Sequence, residues 1–103
     1  MDMPATIKVG PHTYSVIRKP AAQMEDSLGY CDFTTLQIWI RQRMKKSKSR
    51  EILLHETLHA CTHPTLNCGD KMDDEDFVNA VAPVLLQVLQ DNPTLVTYLV
   101  GAQ

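Results

Sequence analysis

The sequence predicts one α+β domain over residues 1–103, in which a small antiparallel or mixed sheet near the N-terminus packs on a helix. Three observations support this prediction. The length suffices for a single modest core. Apolar residues make up 44% and charged residues 21%, which is typical of globular proteins. Short β-forming segments come first and helical periodicity follows, and that order is the α+β pattern.

The first two predicted strands form a hairpin. Residues 6–9 and 14–17 are rich in β-forming residues, and Gly10-Pro11-His12 separates them with a turn signal. Pro20 ends the second strand because proline cannot donate to a ladder.

Two further strands are predicted after a loop or short helical turn at residues 21–28. They cover residues 29–31 and 36–40. In the second of them one face carries alternating apolar side chains, those of Leu36, Ile38 and Ile40. This alternation predicts that one face of the strand is buried.

A helix is expected after the basic run at residues 41–50. Ser47 or Ser49 is placed to cap it, because a serine oxygen accepts a hydrogen bond from a first-turn amide. Pro64 predicts its end, since proline disfavours helical geometry at the preceding residue. Residues 64–73 then read as a loop.

A second helix is predicted from Asp73 or Asp74, where negative charge suits a helix start. Pro83 predicts a kink within it. Pro93 is suited to the first position of a short last helix over residues 94–100. The second helix carries a broad apolar face made of Val78, Val81, Ala82, Leu85, Leu86, Val88 and Leu89.

Charge and cysteine content exclude several classes of protein. The net charge of −2 gives no global basic field for nucleic acid, and no stretch approaches the ~18 apolar residues of a membrane span. The N-terminus lacks the basic and apolar regions of a signal peptide. Three cysteines, an odd number, fit a reducing compartment. We therefore expect a cytoplasmic protein.

The chemically informative segment is His55-Glu56-x-x-His59 on the first predicted helix. Residues four apart lie about 6 Å along a helix and about 40° around it, so both imidazoles can reach one metal ion. Glu56, about 100° round from His55, can reach a metal-bound water without ligating the metal. This arrangement predicts zinc-assisted hydrolysis of an amide, with Glu56 as the general base.

A zinc site needs a third protein ligand, and an acidic residue of the second helix is the best candidate. Glu75 is preferred because it shares a stripe with Val78, Ala82, Leu85 and Leu89, and Asp74 and Asp76 are the alternatives. His63 lies about 12 Å from His55 along one helix, too far for a single ion. Three residues are candidate donors for an oxyanion: His12, Tyr30 and Tyr98.

Two competing interpretations rest on other residues. A structural zinc cage would use Cys31, Cys61, His63 and Cys68, but the spacing matches no standard motif, so we expect buried free thiols. The basic run at residues 41–50 holds six of the ten basic residues and could contact nucleic acid. No aromatic residue interleaves it, which favours a solvated surface.

The chain resembles the minimal gluzincin-like metallopeptidase domains, which include small phage- and prophage-encoded proteins. The matching segments are residues 7–14, Gly29-Tyr30-Cys31-Asp32, the segment 52–60 around His-Glu-x-x-His, and residues 81–93. Many relatives carry an acidic residue shortly after the second histidine, where this chain has Cys61.

The resemblance implies a twisted sheet packed on the motif helix, and Zn²⁺ bound by His55 and His59. It places Glu56 as the base and Glu75 at the third-ligand position. The strand before the motif helix, Leu36 to Ile40, is implied to pair with an extended protein or peptide substrate. It also implies the host cytoplasm for a phage-encoded chain.

The sequence thus leads to a zinc metallopeptidase as the first hypothesis. The alternatives are a zinc-stabilised protein-binding module that cleaves nothing, and a nucleic-acid-associated adaptor that acts through residues 41–50.

Overall fold

The computed structural model describes the backbone of residues 2–66 and 74–101 and the side chains of residues 2–64 and 75–101. It confirms an α+β fold, with four strands before three helices. The strands are β1 (Thr6–Val9), β2 (His12–Lys19), β3 (Gly29–Asp32) and β4 (Gln37–Arg41), with a short 3₁₀ turn at Ala21–Gln23. The helices are α1 (Lys46–Leu66), α2 (Asp74–Asp91) and α3 (Pro93–Val100).

The sheet is mixed, with the strand order β1-β2-β4-β3. β1 and β2 form the predicted antiparallel hairpin, β2 and β4 are parallel, and β3 and β4 are antiparallel. The prediction that Leu36–Ile40 pairs with a substrate is wrong, because β4 lies inside the sheet and both of its edges are bonded to other strands. The free edges belong to β1 and β3.

Two amide side chains cover the free edge of β1. Asn92 accepts a hydrogen bond from Lys8 N at 2.8 Å and donates to Lys8 O at 2.9 Å. Gln87 accepts from Gly10 N at 2.8 Å. These contacts fasten the edge strand to the end of α2 and leave β3 as the edge without such a cover in the described part of the chain.

Replacing Asn92 with alanine should destabilise the protein by about 2–3 kcal/mol, because several hydrogen bonds of a buried amide are lost together. Asn92 also donates to Val88 O at 2.7 Å, so the substitution removes its bonds to Lys8 N, Lys8 O and Val88 O. Lys8 O keeps a longer bond from Gln87 Nε2 at 3.3 Å. Urea unfolding measures the change. Thr94→Ala, at an exposed position two residues on, serves as the control, and equal effects of the two substitutions would contradict this role.

The core lies between one face of the sheet and the three helices. α1 packs on β3 and β4, and α2 contacts β1. The alternation predicted in β4 is confirmed for Ile38 and Ile40, which are both fully buried, whereas Leu36 precedes the strand with φ at 57°. The aliphatic side chains with almost no exposure include those of Ile7, Ile38, Ile40, Leu53, Leu95 and Val88.

Both ends of α1 differ from the prediction. The helix begins at Lys46, so Ser47 and Ser49 lie inside it and are not its caps. It continues through Pro64 to Leu66, so the predicted end at Pro64 is wrong. Proline this close to a C-terminus removes only one helical hydrogen bond near the end of the ladder. His63 stacks on Phe33, with ring centroids 3.7 Å apart, which holds the last turn against the sheet side.

α2 begins at Asp74, one of the two predicted positions, and runs through Pro83 to Asp91. Its buried face is narrower than predicted: Val81 and Val88 are buried, whereas the other predicted members include exposed Val78, Ala82, Leu86 and Leu89. α3 begins at Pro93 as predicted. None of the helices in the described ranges is long and apolar enough to cross a membrane.

Candidate metal centre

The middle of α1 brings the two motif histidines side by side. The Nε2 atoms of His55 and His59 lie 3.1 Å apart, and the rings meet edge to face with centroids 4.8 Å apart. Both side chains lie on the exposed surface of the helix. The spacing of four residues therefore produces the convergence that the sequence predicted.

This pair fits a zinc ion. Two nitrogens bound to one tetrahedral zinc at ~2.1 Å are separated by about 3.4 Å, close to the separation found here. Imidazole nitrogen is among the ligands that zinc prefers. Because both rings are exposed, an ion from solvent can reach them without opening the core.

Glu56 lies on the inner side of the pair. Its side chain is only 7% exposed, between α1 and β3. Burial raises the pKa of this carboxyl above its ordinary value, and the neighbouring His55 and His59 act in the opposite direction. A buried carboxyl with a raised pKa, next to two imidazoles that could hold a metal ion, has the properties of a general base or acid.

The histidines and Glu56 line an open cavity of about 330 Å³ whose opposite wall comes from β3 and the residue after it. The wall consists of Gly29, Tyr30, Cys31 and Phe33. The sequence prediction did not assign Gly29 or Phe33 to the site. For Gly29 the available signal was a glycine at the first position of a predicted strand.

The outer edge of β3 borders this cavity. Arg41 N donates to Leu28 O at 3.0 Å, so Leu28 faces β4 through its main chain. Hydrogen-bonded residues alternate along an antiparallel strand, so the main-chain groups of Gly29 and Cys31 point to the free edge. The edge thus presents amides and carbonyls beside the histidine pair.

The described side chains supply no third ligand to the histidine pair. Among them no group of three His, Cys, Asp or Glu residues is placed to hold a metal ion. Glu75 is exposed, and in the stripe that favoured it Val78, Ala82 and Leu89 are exposed while Leu85 alone packs against the core. Asp74 lies seven residues, two helical turns, before buried Val81, and its side chain is outside the described residues. The ligand role of Glu75 stays a prediction.

Of the three candidate oxyanion donors, only Tyr30 belongs to the cavity wall with the histidines. Its ring, however, lies 5.3 Å from the ring of Trp39, on the face of the sheet opposite α1. His12 lines a separate cavity beside His63. Tyr98 is buried on α3, where its carbonyl accepts a hydrogen bond from Arg50 Nε at 3.0 Å. The structure therefore separates these three residues, and their roles as oxyanion donors stay predictions.

The cysteines do not form the alternative cage within the described residues. Cys31 and Cys61 are buried free thiols, as predicted, and Cys68 lies outside the described residues. Burial, followed by the charge of Glu56, raises the pKa of the Cys31 thiol to about 12. Burial also raises the pKa of Cys61. Both thiols are therefore protonated at neutral pH and behave as small core side chains.

The basic run is partly engaged in the fold. Arg41 ends β4, and Arg50 bonds to α3 and lies 5.8 Å from the ring centroid of Tyr98. Lys48 pairs with Glu51 at 3.2 Å on the exposed surface. These contacts give several of the cations structural partners.

Without metal, Glu56→Gln should make the protein more stable at neutral pH. Burial raises the pKa of Glu56, so the folded state holds its proton more tightly than the unfolded state. Stability from this group is therefore present at low pH and lost as pH rises through the folded-state pKa. The glutamine amide of the variant has no charge to desolvate.

The measurement is urea unfolding of chelator-treated protein at several pH values. The stability advantage of Glu56→Gln over the wild type should grow from pH 4 towards pH 7 in this pH series. Glu51→Gln, an exposed position on the same helix, should show no such growth. If the free energies of unfolding of wild type and Glu56→Gln changed in parallel with pH, burial of the Glu56 carboxylate would carry no penalty, contrary to this prediction.

Comparison of the chain with protein-family models, curated proteins and solved structures found no match.

Proposed function

We propose that this protein is a zinc-dependent peptidase that acts on extended segments of protein. The observation that carries the proposal is the convergence of His55 and His59, with Nε2 atoms 3.1 Å apart, beside a buried carboxyl of Glu56. Two exposed imidazoles and one desolvated acid on a single helix face a cavity bordered by a strand edge. Metal-assisted hydrolysis uses these elements together.

His55 and His59 would hold the ion, with an acidic residue of α2 as the third ligand. The chemistry that bound zinc supplies is that of a Lewis acid, which acidifies water and polarises a carbonyl group. Glu56 accepts a proton from the attacking water and later delivers it to the leaving amine, which its raised pKa favours.

The substrate would bind along β3 rather than β4. The outward amides and carbonyls of Gly29 and Cys31 can pair with an extended peptide, which places its backbone over the histidine cavity. Binding of this kind recognises main chain first and side chains second. We therefore expect an unfolded or exposed segment of a cytoplasmic protein to be the substrate class.

A non-catalytic zinc-stabilised module is the second candidate. The small, open cavity of about 330 Å³ favours it, because such a site buries little of a substrate. It shares the zinc site and differs only in the role of Glu56. The contacts of Arg50 with Tyr98 and of Lys48 with Glu51 make the adaptor that acts through residues 41–50 the weakest of the three.

The test is cleavage of a mixture of unstructured peptides by the purified, zinc-loaded chain, followed by mass spectrometry. The proposal predicts defined cleavage products that disappear with a chelator and return with zinc. Intact peptides after prolonged incubation with a zinc-loaded chain would favour the binding module.

N-methylation of the substrate amide that pairs with β3 should slow cleavage by about tenfold, because one hydrogen bond contributes ~0.5–1.5 kcal/mol and the methyl also blocks approach. The next amide along the peptide points away from the edge, so methylation there is the matched control. Each methylated peptide is compared with its parent by kcat/KM. Equal effects at the two positions would contradict strand pairing.

A further inference from the structure

Gly29 stands where β3 approaches α1 most closely. A Cβ built on it would lie 2.5 Å from Cγ2 of Ile52 and 2.9 Å from Oε2 of Glu56. Contacts under 3.0 Å are essentially absent for real Cβ atoms. Its φ lies outside the left-handed region, unlike that of Gly10 at 58°. Space, rather than backbone conformation, therefore restricts position 29 to glycine.

The two neighbours of Gly29 have different roles. Ile52 is a buried, β-branched core residue, so its contact concerns packing alone. Glu56 contributes two atoms to the contact, since its Cγ would also lie 3.1 Å from the added Cβ. The carboxylate thus fills the volume that a side chain at position 29 would need, and any such side chain has to displace it.

We propose that Gly29 is a positioning residue that seats the Glu56 carboxylate directly against the substrate-binding edge of β3. This inference rests on the proposed peptidase function. The same residue offers its main-chain groups to the free edge and its bare Cα to Glu56. Gly29 therefore fixes the distance between a strand-bound peptide and the proton-transferring group.

The experiment separates the packing contact from the catalytic one by removing the Ile52 obstacle. The variants are Ile52→Ala and the double variant Gly29→Ala/Ile52→Ala, each assayed for zinc content, kcat and KM. We expect zinc content equal to wild type in both, a KM within about threefold, and a kcat for the double variant at least about tenfold below that of Ile52→Ala. Equal kcat values for the two variants would overturn the proposal.

Gly10→Ala is the matched control. It adds the same methyl group where no atom lies within 4 Å, and its positive φ makes the substitution strained. It therefore lowers stability without touching Glu56. We expect its kcat to equal that of wild type below its melting temperature. A fall in kcat as large as that of the double variant would mean that lost stability alone lowers kcat, and would overturn the proposal.

A second measurement does not depend on cleavage. Gly29→Ala should lower the unfolding midpoint in urea, and the loss should be smaller when Glu56→Ala has already vacated the space. An identical loss in the two backgrounds would show that residues 29 and 56 do not compete for volume and would overturn the positioning role. A wild-type chain that binds zinc but cleaves nothing, with this coupling present, would instead overturn the peptidase function.

Discussion

Glu56→Gln should abolish peptide cleavage while leaving zinc bound. General acid–base catalysis contributes about 10²–10⁴-fold, and glutamine cannot accept a proton, so kcat should fall by at least about a hundredfold. The amide has nearly the same shape, so the packing against β3 is preserved. The measurement is kcat/KM on one peptide together with zinc content per chain.

Glu51→Gln is the control, because Glu51 is an exposed acid on the same helix and pairs with Lys48. It should cleave as the wild type does. If Glu56→Gln lost activity and zinc together, the carboxyl would be a ligand or a structural group rather than a base. The non-catalytic module predicts a different result. Neither the wild type nor Glu56→Gln would cleave the peptide, and both would bind a partner equally well.

Leu53→Ala should destabilise the protein by about 2–5 kcal/mol, the range for deleting a buried leucine side chain. Leu53 is 0% exposed on the face of α1 that packs against the core, two residues before the first motif histidine. Stabilities of small domains are about 5–15 kcal/mol, so this loss is a large share of the total. Thermal and urea unfolding measure it.

Leu54 is the neighbour on the outer face and is 40% exposed. Leu54→Ala removes the same atoms from a largely solvated site and should change stability by about 0.5 kcal/mol or less. Comparable losses at positions 53 and 54 would contradict the orientation of α1, and with it the direction in which the motif histidines project.

Periodicity was sufficient to locate the elements because it records which face each one buries. The burial of alternate side chains in β4 and the approach of the His55 and His59 rings both follow from local geometry, and the structure shows both. Pairing between strands is non-local, so the sequence did not reveal that β4 runs parallel to β2 inside the sheet. The resemblance implied a substrate edge at Leu36–Ile40, whereas the structure places that strand between β2 and β3.

The apolar stripe of α2 was an incomplete guide to the buried face of that helix for a related reason. A helix with apolar residues around much of its circumference does not indicate which of them face the core. The structure buries Val81 and Val88 and exposes Val78. The face of α2 that packs against the core is therefore not the face that carries Glu75 and Val78. Zinc content of Glu75→Ala and Asp74→Ala distinguishes the two positions.

The role of Gly29 could not be read from the sequence, because it depends on how closely two distant segments approach. Pro64 is a similar case, since the stacking of His63 on Phe33 supports a helical turn that the local rule disfavours. Tertiary contacts decided both outcomes.

The most direct measurement is the zinc content of purified wild type, Glu56→Gln and His59→Ala after dialysis against a weak chelator. We predict about one zinc per chain for the first two proteins and none for the third, with all three folded by circular dichroism. Equal zinc content in all three proteins, or none in any of them, would contradict a metal centre built on the imidazoles of α1.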